Sequence, residues 1–318
     1  MKVRVHISRS YNPFYNLARE QQLFSELAED RVLLYLWQNK SSVVVGHNQN
    51  PWLETRPQLL KKEGADLVRR PSGGGAVYHD SGNLNFSFLS PDKYYDEQQQ
   101  FELLQSALRR AGIKSKIAEG NGLFIGGRKF SGSAFYHGSN RSYQHGTLLL
   151  NSRLESLHRF LKPALSSPEI GPKRGVSSNP SPVINLCEIN PGLTVSGVYR
   201  LLIEQAKQSY NKPVEIIYEN PEQIPALKTL KDKYCSPDWV LGKTPLFSVK
   251  INCYHQNKLL PITAHIEGGR VSSLELQARG PAAESCKKTL DLLQDEVKGY
   301  YFNKEKLCQA AQNRLSVV

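Results

Sequence analysis

The 318-residue chain lacks most of the short signatures that betray an enzyme. It has no GxxxxGK[ST] run, so its glycine-rich stretch is not the P-loop of nucleotide hydrolases. HExxH is absent, and the eight histidines show no metal-ligand spacing, so no metal site is assigned. There is no GxSxG elbow to present a serine nucleophile. The five cysteines, Cys187, Cys235, Cys253, Cys286 and Cys308, include no CxxC pair. An odd, widely spaced set argues for a reducing compartment and against a disulfide framework or zinc ribbon. Each is expected to be a small buried apolar residue. No apolar run approaches the roughly 20 residues that span a bilayer. The opening Val3-Arg4-Val5-His6-Ile7-Ser8 reads as a strand rather than a targeting segment. A cytoplasmic protein with no membrane partner is expected.

What is present is an ordinary globular composition, 39% hydrophobic and 22% charged, with a formal charge of +12. The length suggests one large domain with a smaller one, or two comparable domains. The basic pairs are scattered, from Lys61-Lys62 to Lys287-Lys288, without an RNA-recognition signature or zinc-finger spacing. Nucleic acid is therefore not expected as a partner. An acidic protein partner or plain solubility accounts for the charge.

The chain is organised around Arg69-Arg70-Pro71-Ser72-Gly73-Gly74-Gly75-Ala76-Val77-Tyr78-His79-Asp80. Three glycines let the backbone approach a ligand and aim N–H groups at an anion. Arginine supplies a planar fork suited to phosphate or carboxylate. Strand, basic glycine loop, strand is a cradle for a phosphorylated ligand; a tight hairpin with solvated arginines fits the same residues. Downstream, Asn83 to Phe88 alternates strictly, with Leu84, Phe86 and Phe88 on one side and Asn83, Asn85 and Ser87 on the other. The second side is either a polar pocket wall or a solvated face. Lys129 follows the Gly126-Gly127 turn among small residues, as a surface lysine or one that faces a ligand.

Helices are expected after Pro13, with Glu20 inside an otherwise apolar pattern, over Pro57–Glu63, over Glu97–Ala111 and near 195–210. The segment 166–182 reads as a long loop expected to close over a bound ligand. Past 240, three strand-like runs (246–254, 258–266 and 270–277) and two helical runs (281–296 and 303–315) form a compact appendage. Pro261 demotes the middle run to an edge.

Together these pieces resemble the lipoate–protein ligase family over nearly the whole chain. The resemblance is carried by Ser10-Tyr11-Asn12-Pro13, Asn16-Leu17-Ala18, Gln49-Asn50-Pro51-Trp52 and the arginine–triple-glycine–His79-Asp80 run. It continues through Lys129-x-Ser131-Gly132-Ser133-Ala134, His145-Gly146-Thr147-Leu148-Leu149 and Gly242-Lys243-Thr244-Pro245-x-Phe247-Ser248. It implies an α+β fold: a biotin/lipoate protein ligase-like mixed-sheet catalytic domain over 1–240, with a small α+β accessory domain over 246–318. It implies a two-step reaction in which lipoate and MgATP give lipoyl-AMP, and a lysine of a lipoyl domain then takes the lipoyl group. The implied acceptors are the E2 subunits of 2-oxoacid dehydrogenases and the glycine cleavage H protein.

By the same resemblance, Arg70 and the backbone of Gly75, Ala76, Val77 and Tyr78 contact ATP. Lys129 contacts both the acyl carbonyl and the phosphate, as a point charge rather than a nucleophile. Ser72 and His145 join the lipoate site, and Asn83 and Asn121 the nucleotide pocket. Where bacterial ligases usually carry Arg-Asn-Asp-Leu, this chain has Gly120-Asn121-Gly122-Leu123. The missing carboxylate keeps an alternative open: a lipoyltransferase without the ATP step, using lipoyl-AMP or a lipoylated carrier. No cysteine closely follows His145-Gly146, which disfavours an octanoyltransferase with a cysteine nucleophile.

Overall fold

The computed structural model describes residues 1–118, 122–165, 175–255, 258–277 and 281–315. In chain order the strands are β1 (Lys2–Ser8), β2 (Arg31–Gln38), β3 (Ser42–Val45), β4 (Asp66–Arg69), β5 (Val77–His79), β6 (Asn83–Pro91) and β7 (Lys116–Ala118). They continue with β8 (Gly122–Ile125), β9 (Arg128–His137), β10 (Arg141–Leu149), β11 (Val214–Glu219), β12 (Phe247–His255), β13 (Lys258–Glu267) and β14 (Arg270–Leu276). Contacts divide the chain into two compact units. Met1–His47, Leu60–Leu161 and Ser178–Cys235 form the first; Asn48–Leu59, Lys162–Ser177 and Ser236–Val318 form the second. The trailing segment thus shares its unit with two earlier pieces of chain, which a boundary drawn along the sequence near 240 does not capture.

The first unit is built on an eight-stranded mixed sheet ordered β11-β1-β2-β6-β10-β9-β8-β7, with a small β4-β3-β5 sheet beside it. One face of the large sheet is apolar. Leu34 and Leu36 of β2, Leu84, Phe86 and Phe88 of β6 and Leu148 of β10 pack there against Phe101, Leu104 and Leu108 of helix Glu97–Arg109. Val198, Leu202 and Ala206 of helix Val195–Tyr210 join the same core. Both helices are capped as the sequence demands: Asp96 accepts from the Gln99 N–H, and Thr194 accepts from the Gly197 N–H. Asn211, at φ 47°, ends the second.

The other face is also covered. Helix Pro13–Ser25, started by Pro13 and capped by Asn12, packs Leu23 against Leu33, Tyr35, Trp37, Leu89 and Tyr143. Asn83, Asn85 and Ser87 are therefore buried, so the solvated-face reading does not hold for β6. β11 escaped the sequence reading because its outer side is open: Ile216 and Tyr218 are exposed. It is tied in by parallel pairing to β1 and by a bidentate Arg19–Glu219 ion pair at 2.6 and 2.7 Å.

In the second unit, β12-β13-β14 form a three-stranded sheet with β13 central. The expected demotion by Pro261 fails because that residue sits where pairing with β14 begins. There only its carbonyl is required, and it accepts from Gln277. The Gln49–Trp52 motif is structural: Trp52 is buried in this unit's core, 5.6 Å from Phe247 and 5.5 Å from Phe302 between ring centroids. The expected burial of cysteines fails as well. Cys235 is exposed and Cys187 and Cys308 are half-buried, while the side chains of Cys253 and Cys286 lie outside the description. Among the described residues no helix is long and apolar enough to cross a membrane.

Asn16 holds the entrance to the first unit together. Its amide nitrogen donates to the Ser10 and Gln38 carbonyls and to Asn39, and its oxygen accepts from Ser8 and Tyr35, all within 3.1 Å. Removing it leaves several buried groups without partners, each costing about 1–3 kcal/mol. Asn16→Ala is expected to lose roughly 2–4 kcal/mol of unfolding free energy in a urea titration. An unchanged midpoint would remove Asn16 from this role.

Candidate active site

The glycine loop joins β4 to β5 on the small sheet. Arg69 is fully buried and donates to the Gly46 and His47 carbonyls at 3.0 and 2.8 Å. Arg70 makes five hydrogen bonds: to the Ser72 hydroxyl, twice to the Gly73 carbonyl, to the Gly75 carbonyl and to the Val44 carbonyl. Burial lowers the pKa of each arginine to about 10. Neither guanidinium is solvated, and the Arg70 fork is turned into the loop. Arg70 thus shapes the backbone of the loop. Gly74, at φ 84°, carries the sharpest part of the bend.

Of the four expected nucleotide positions, Gly75, Ala76 and Val77 are half-buried, whereas Tyr78 turns its ring inward. That ring lies 5.7 Å from Phe160, with the hydroxyl 3.3 Å from Ser41, so only its backbone is available to a ligand. The Ala76 N–H donates to the Ser178 hydroxyl at 2.8 Å. An incoming phosphate oxygen would take over that bond. Residues 166–174 of the expected lid lie outside the described residues, as does Asn121. Further along, the Lys129 N–H donates to the Pro182 carbonyl at 2.7 Å, and the Ile184 N–H donates back to the Lys129 carbonyl at 3.1 Å. The segment Ser178–Ile184 thus runs from the glycine loop to the lysine strand.

Beneath the loop lies a buried polar relay. The Ser72 hydroxyl is 2.7 Å from His145 Nε2; His145 Nδ1 is 2.9 Å from Glu20 Oε1; and Ser87 donates to the same Glu20 oxygen. All four residues are buried. Ser72 and His145, both expected at the lipoate site, are brought together. Glu20 was missed as their partner, although its signal was an acidic residue on an apolar helical face between Leu17 and Leu23. Asn83 is not brought there: it sits four residues from Ser87 along β6, about 13 Å away. Its amide nitrogen donates to Asn85, and its Oδ1 has no partner among the described residues.

Lys129 stands on the same face of the large sheet as the loop. Its Nζ would be 3.4 Å from a Cβ on Gly132, while a Cβ on Gly74 would lie 3.5 Å from Ala134 Cβ. Gly132 and Ala134 are one pleat repeat apart on β9, about 7 Å. Burial lowers the Lys129 pKa, and among the described residues its ammonium has no ion-pair partner. It lies 5.8 Å from the Phe124 ring centroid. No group of three or more His, Cys, Asp or Glu among the described residues could hold a metal ion. A cavity of about 380 Å³, lined by Gly82, Leu150, Cys187 and Leu193, lies beyond the far end of β10 from His145.

Fold and site together define an α+β protein whose braced glycine loop shares one sheet face with a lysine that has no ion-pair partner among the described residues. Residues 12–207 match the model of the lipoyl protein ligase A/B catalytic domain. Lipoate-protein ligase A of Bdellovibrio bacteriovorus is 35% identical over 282 residues, which cover 86% of this chain and 82% of that one. The chain belongs to the lipoyl protein ligase A/B catalytic-domain family, a family of ligases. The crystal structure of P. falciparum LipL1 in complex with lipoate shares the fold, with a TM-score of 0.68 at 24% identity, covering 97% of this chain and 93% of that one. A crystal structure of lipoate-protein ligase A bound with ATP aligns at a TM-score of 0.63 and 24% identity, covering 75% and 98%.

His79 gives the site a measurable acid limit. Asn39 donates to its Nδ1 at 3.0 Å, so Nε2 carries the proton and has no partner among the described residues. Burial, then the charges of Arg70 and His145, lowers its pKa to about 3. The unfolded chain takes up this proton near pH 6.5 and the folded chain does not. Stability from this group is therefore full above about pH 6.5 and falls on acidification, by up to about 1.4 kcal/mol per pH unit. His79→Gln is expected to flatten the loss of unfolding free energy between pH 6.5 and 4. Parallel curves for the two proteins would contradict this.

Proposed function

We propose that this protein is a lipoate–protein ligase. In the first step a lipoate carboxylate oxygen attacks the α-phosphorus of MgATP, forming lipoyl-AMP and releasing pyrophosphate. In the second, the ε-amine of an acceptor lysine attacks the mixed anhydride; an amide forms, AMP leaves and the amine gives up a proton. Magnesium arrives on the nucleotide phosphates. The observation that carries this reading is the Lys129 ammonium, without an ion-pair partner among the described residues, beside the glycine loop on one sheet face. A fixed cation there stabilises charge on the α-phosphate in the first step and on the acyl carbonyl oxygen in the second.

In this reading the N–H groups of Gly75, Ala76, Val77 and Tyr78 receive the nucleotide, in a loop whose shape Arg70 maintains. Ser72, held by His145 and Glu20, borders the lipoate site, and Asn83 and Asn121 are the further candidates for the nucleotide pocket. Every described residue with a proposed role falls in the first unit, which supports a catalytic part there and an accessory part for the trailing segment. The acceptors are lipoyl domains of 2-oxoacid dehydrogenase E2 subunits and the glycine cleavage H protein; a net charge of +12 suits an acidic acceptor. A reducing, cytoplasmic setting fits an odd, widely spaced set of cysteines without a CxxC pair.

A second reading has its own observation. Gly122 leaves β8, the strand paired with that of Lys129, without the carboxylate that bacterial ligases usually carry, so a lipoyltransferase supplied with lipoyl-AMP fits the same site. The two are separated by the mass of a purified lipoyl domain incubated with this protein. Lipoate with MgATP is expected to add one lipoyl group, and lipoate alone none. Modification from lipoyl-AMP but never from lipoate with MgATP would leave only the transferase.

A further inference from the structure

Gly122 and Gly132 face each other in register across β8 and β9, two pairs along from Phe124 and Lys129, with Leu123 and Ser131 between. A bulge between Leu123 and Phe124 brings the lysine stem back over this pair. A Cβ on Gly122 would lie 2.7 Å from Lys129 Cε. One on Gly132 would lie 3.2 Å from Cε and 3.4 Å from Nζ. Carbon atoms in ordinary contact are about 3.5–4.0 Å apart. The stem therefore occupies space that exists only because both positions lack side chains. The Phe124 ring flanks the ammonium, and no ion pair among the described residues anchors it.

We propose that Gly122 and Gly132 are positioning residues: a seat without side chains that fixes where the Lys129 ammonium stands relative to the glycine loop. This rests on the reading of Lys129 as the cation used in both half-reactions. It also gives the glycine at 122 a physical meaning. A side chain there, carboxylate or methyl, and the Lys129 stem in its present place exclude one another. The cation is steered by the shape of its floor instead of by a neighbouring charge.

The test is a pair of variants read two ways. Gly122→Ala must push the stem about 1 Å from its seat, and a misplacement of that size can cost on the order of 100-fold in rate. The kcat of lipoate-dependent pyrophosphate release and the rate of lipoyl transfer from lipoyl-AMP are both expected to fall by about that factor, with KM for ATP near the native value. Gly132→Ala, with looser contacts, is expected to lose on the order of tenfold. A Cβ on Gly122 also approaches Phe124 Cε2 and the Ser131 carbonyl oxygen, each at 2.9 Å, so melting temperature supplies a readout independent of activity. If the stem is the neighbour that must yield, the loss caused by Gly122→Ala is largely relieved in a Lys129→Ala background. Equal melting losses in both backgrounds, or an unchanged kcat in Gly122→Ala, overturn the seat. Absence of any turnover by the native protein would sink the ligase reading while leaving the melting comparison to decide the seat.

Discussion

The fixed point of the first unit is a buried guanidinium. Arg70 holds the carbonyls of Val44, Gly73 and Gly75 and the Ser72 hydroxyl from one side chain. The loop therefore bends around a charge rather than around an apolar core. Desolvation works against that charge, which is why its pKa falls to about 10; hydrogen bonds to carbonyl dipoles offset the cost. The bend also needs Gly46, because any side chain there would meet the Gly73 and Gly74 carbonyls. A lysine in place of Arg70 could not reach all these acceptors, since the planar fork is what spans them. With the loop held in this way, Ser72 is delivered to His145, and the relay runs on to Glu20.

The division of the large sheet into two unlike faces follows from the same arrangement. One face is saturated with leucine and phenylalanine and closed by two capped helices, which makes it rigid. The other carries Ser87 and His145, which meet Glu20 of the covering helix Pro13–Ser25 under the loop, with Lys129 on the neighbouring pair of strands. The relay groups are hydrogen-bonded to one another, as buried polar groups must be. Lys129 differs: among the described residues its half-buried ammonium has no ion-pair partner, a cost that a ligand's counter-charge would offset, which is why the proposed reaction is built on it.

Much of this was legible in the residues themselves. The alternation from Asn83 to Phe88 gave both faces of β6, and Gly126-Gly127 gave the hairpin that presents Lys129. The apolar spacing of Phe101, Leu104 and Leu108 located the core helix. What failed to show was decided by neighbours distant in sequence. That the carbonyls of Val44 and Gly46 brace the two arginines beside the glycine run has no local signal. Glu20 is an oddity on its helix until His145, 125 positions later, arrives beside it. β11 carries too little apolar pattern to be read because only one of its edges is paired. Pro261 broke a local rule at the one point in β13 where its missing N–H is not needed. The joining of 48–59 and 162–177 to the trailing unit has no local signal at all.

If one cation, set beside the glycine loop, serves both the phosphate and the acyl carbonyl, a crystal structure of this protein with a non-hydrolysable lipoyl-adenylate analogue will show it. Lys129 Nζ is then expected within about 3 Å of both the acyl oxygen and the group replacing the phosphate, with the stem still lying over Gly122 and Gly132 and the Ala76 N–H transferred from Ser178 to the ligand. An analogue bound with Lys129 turned away to solvent, and the loop N–H groups unused, would contradict it.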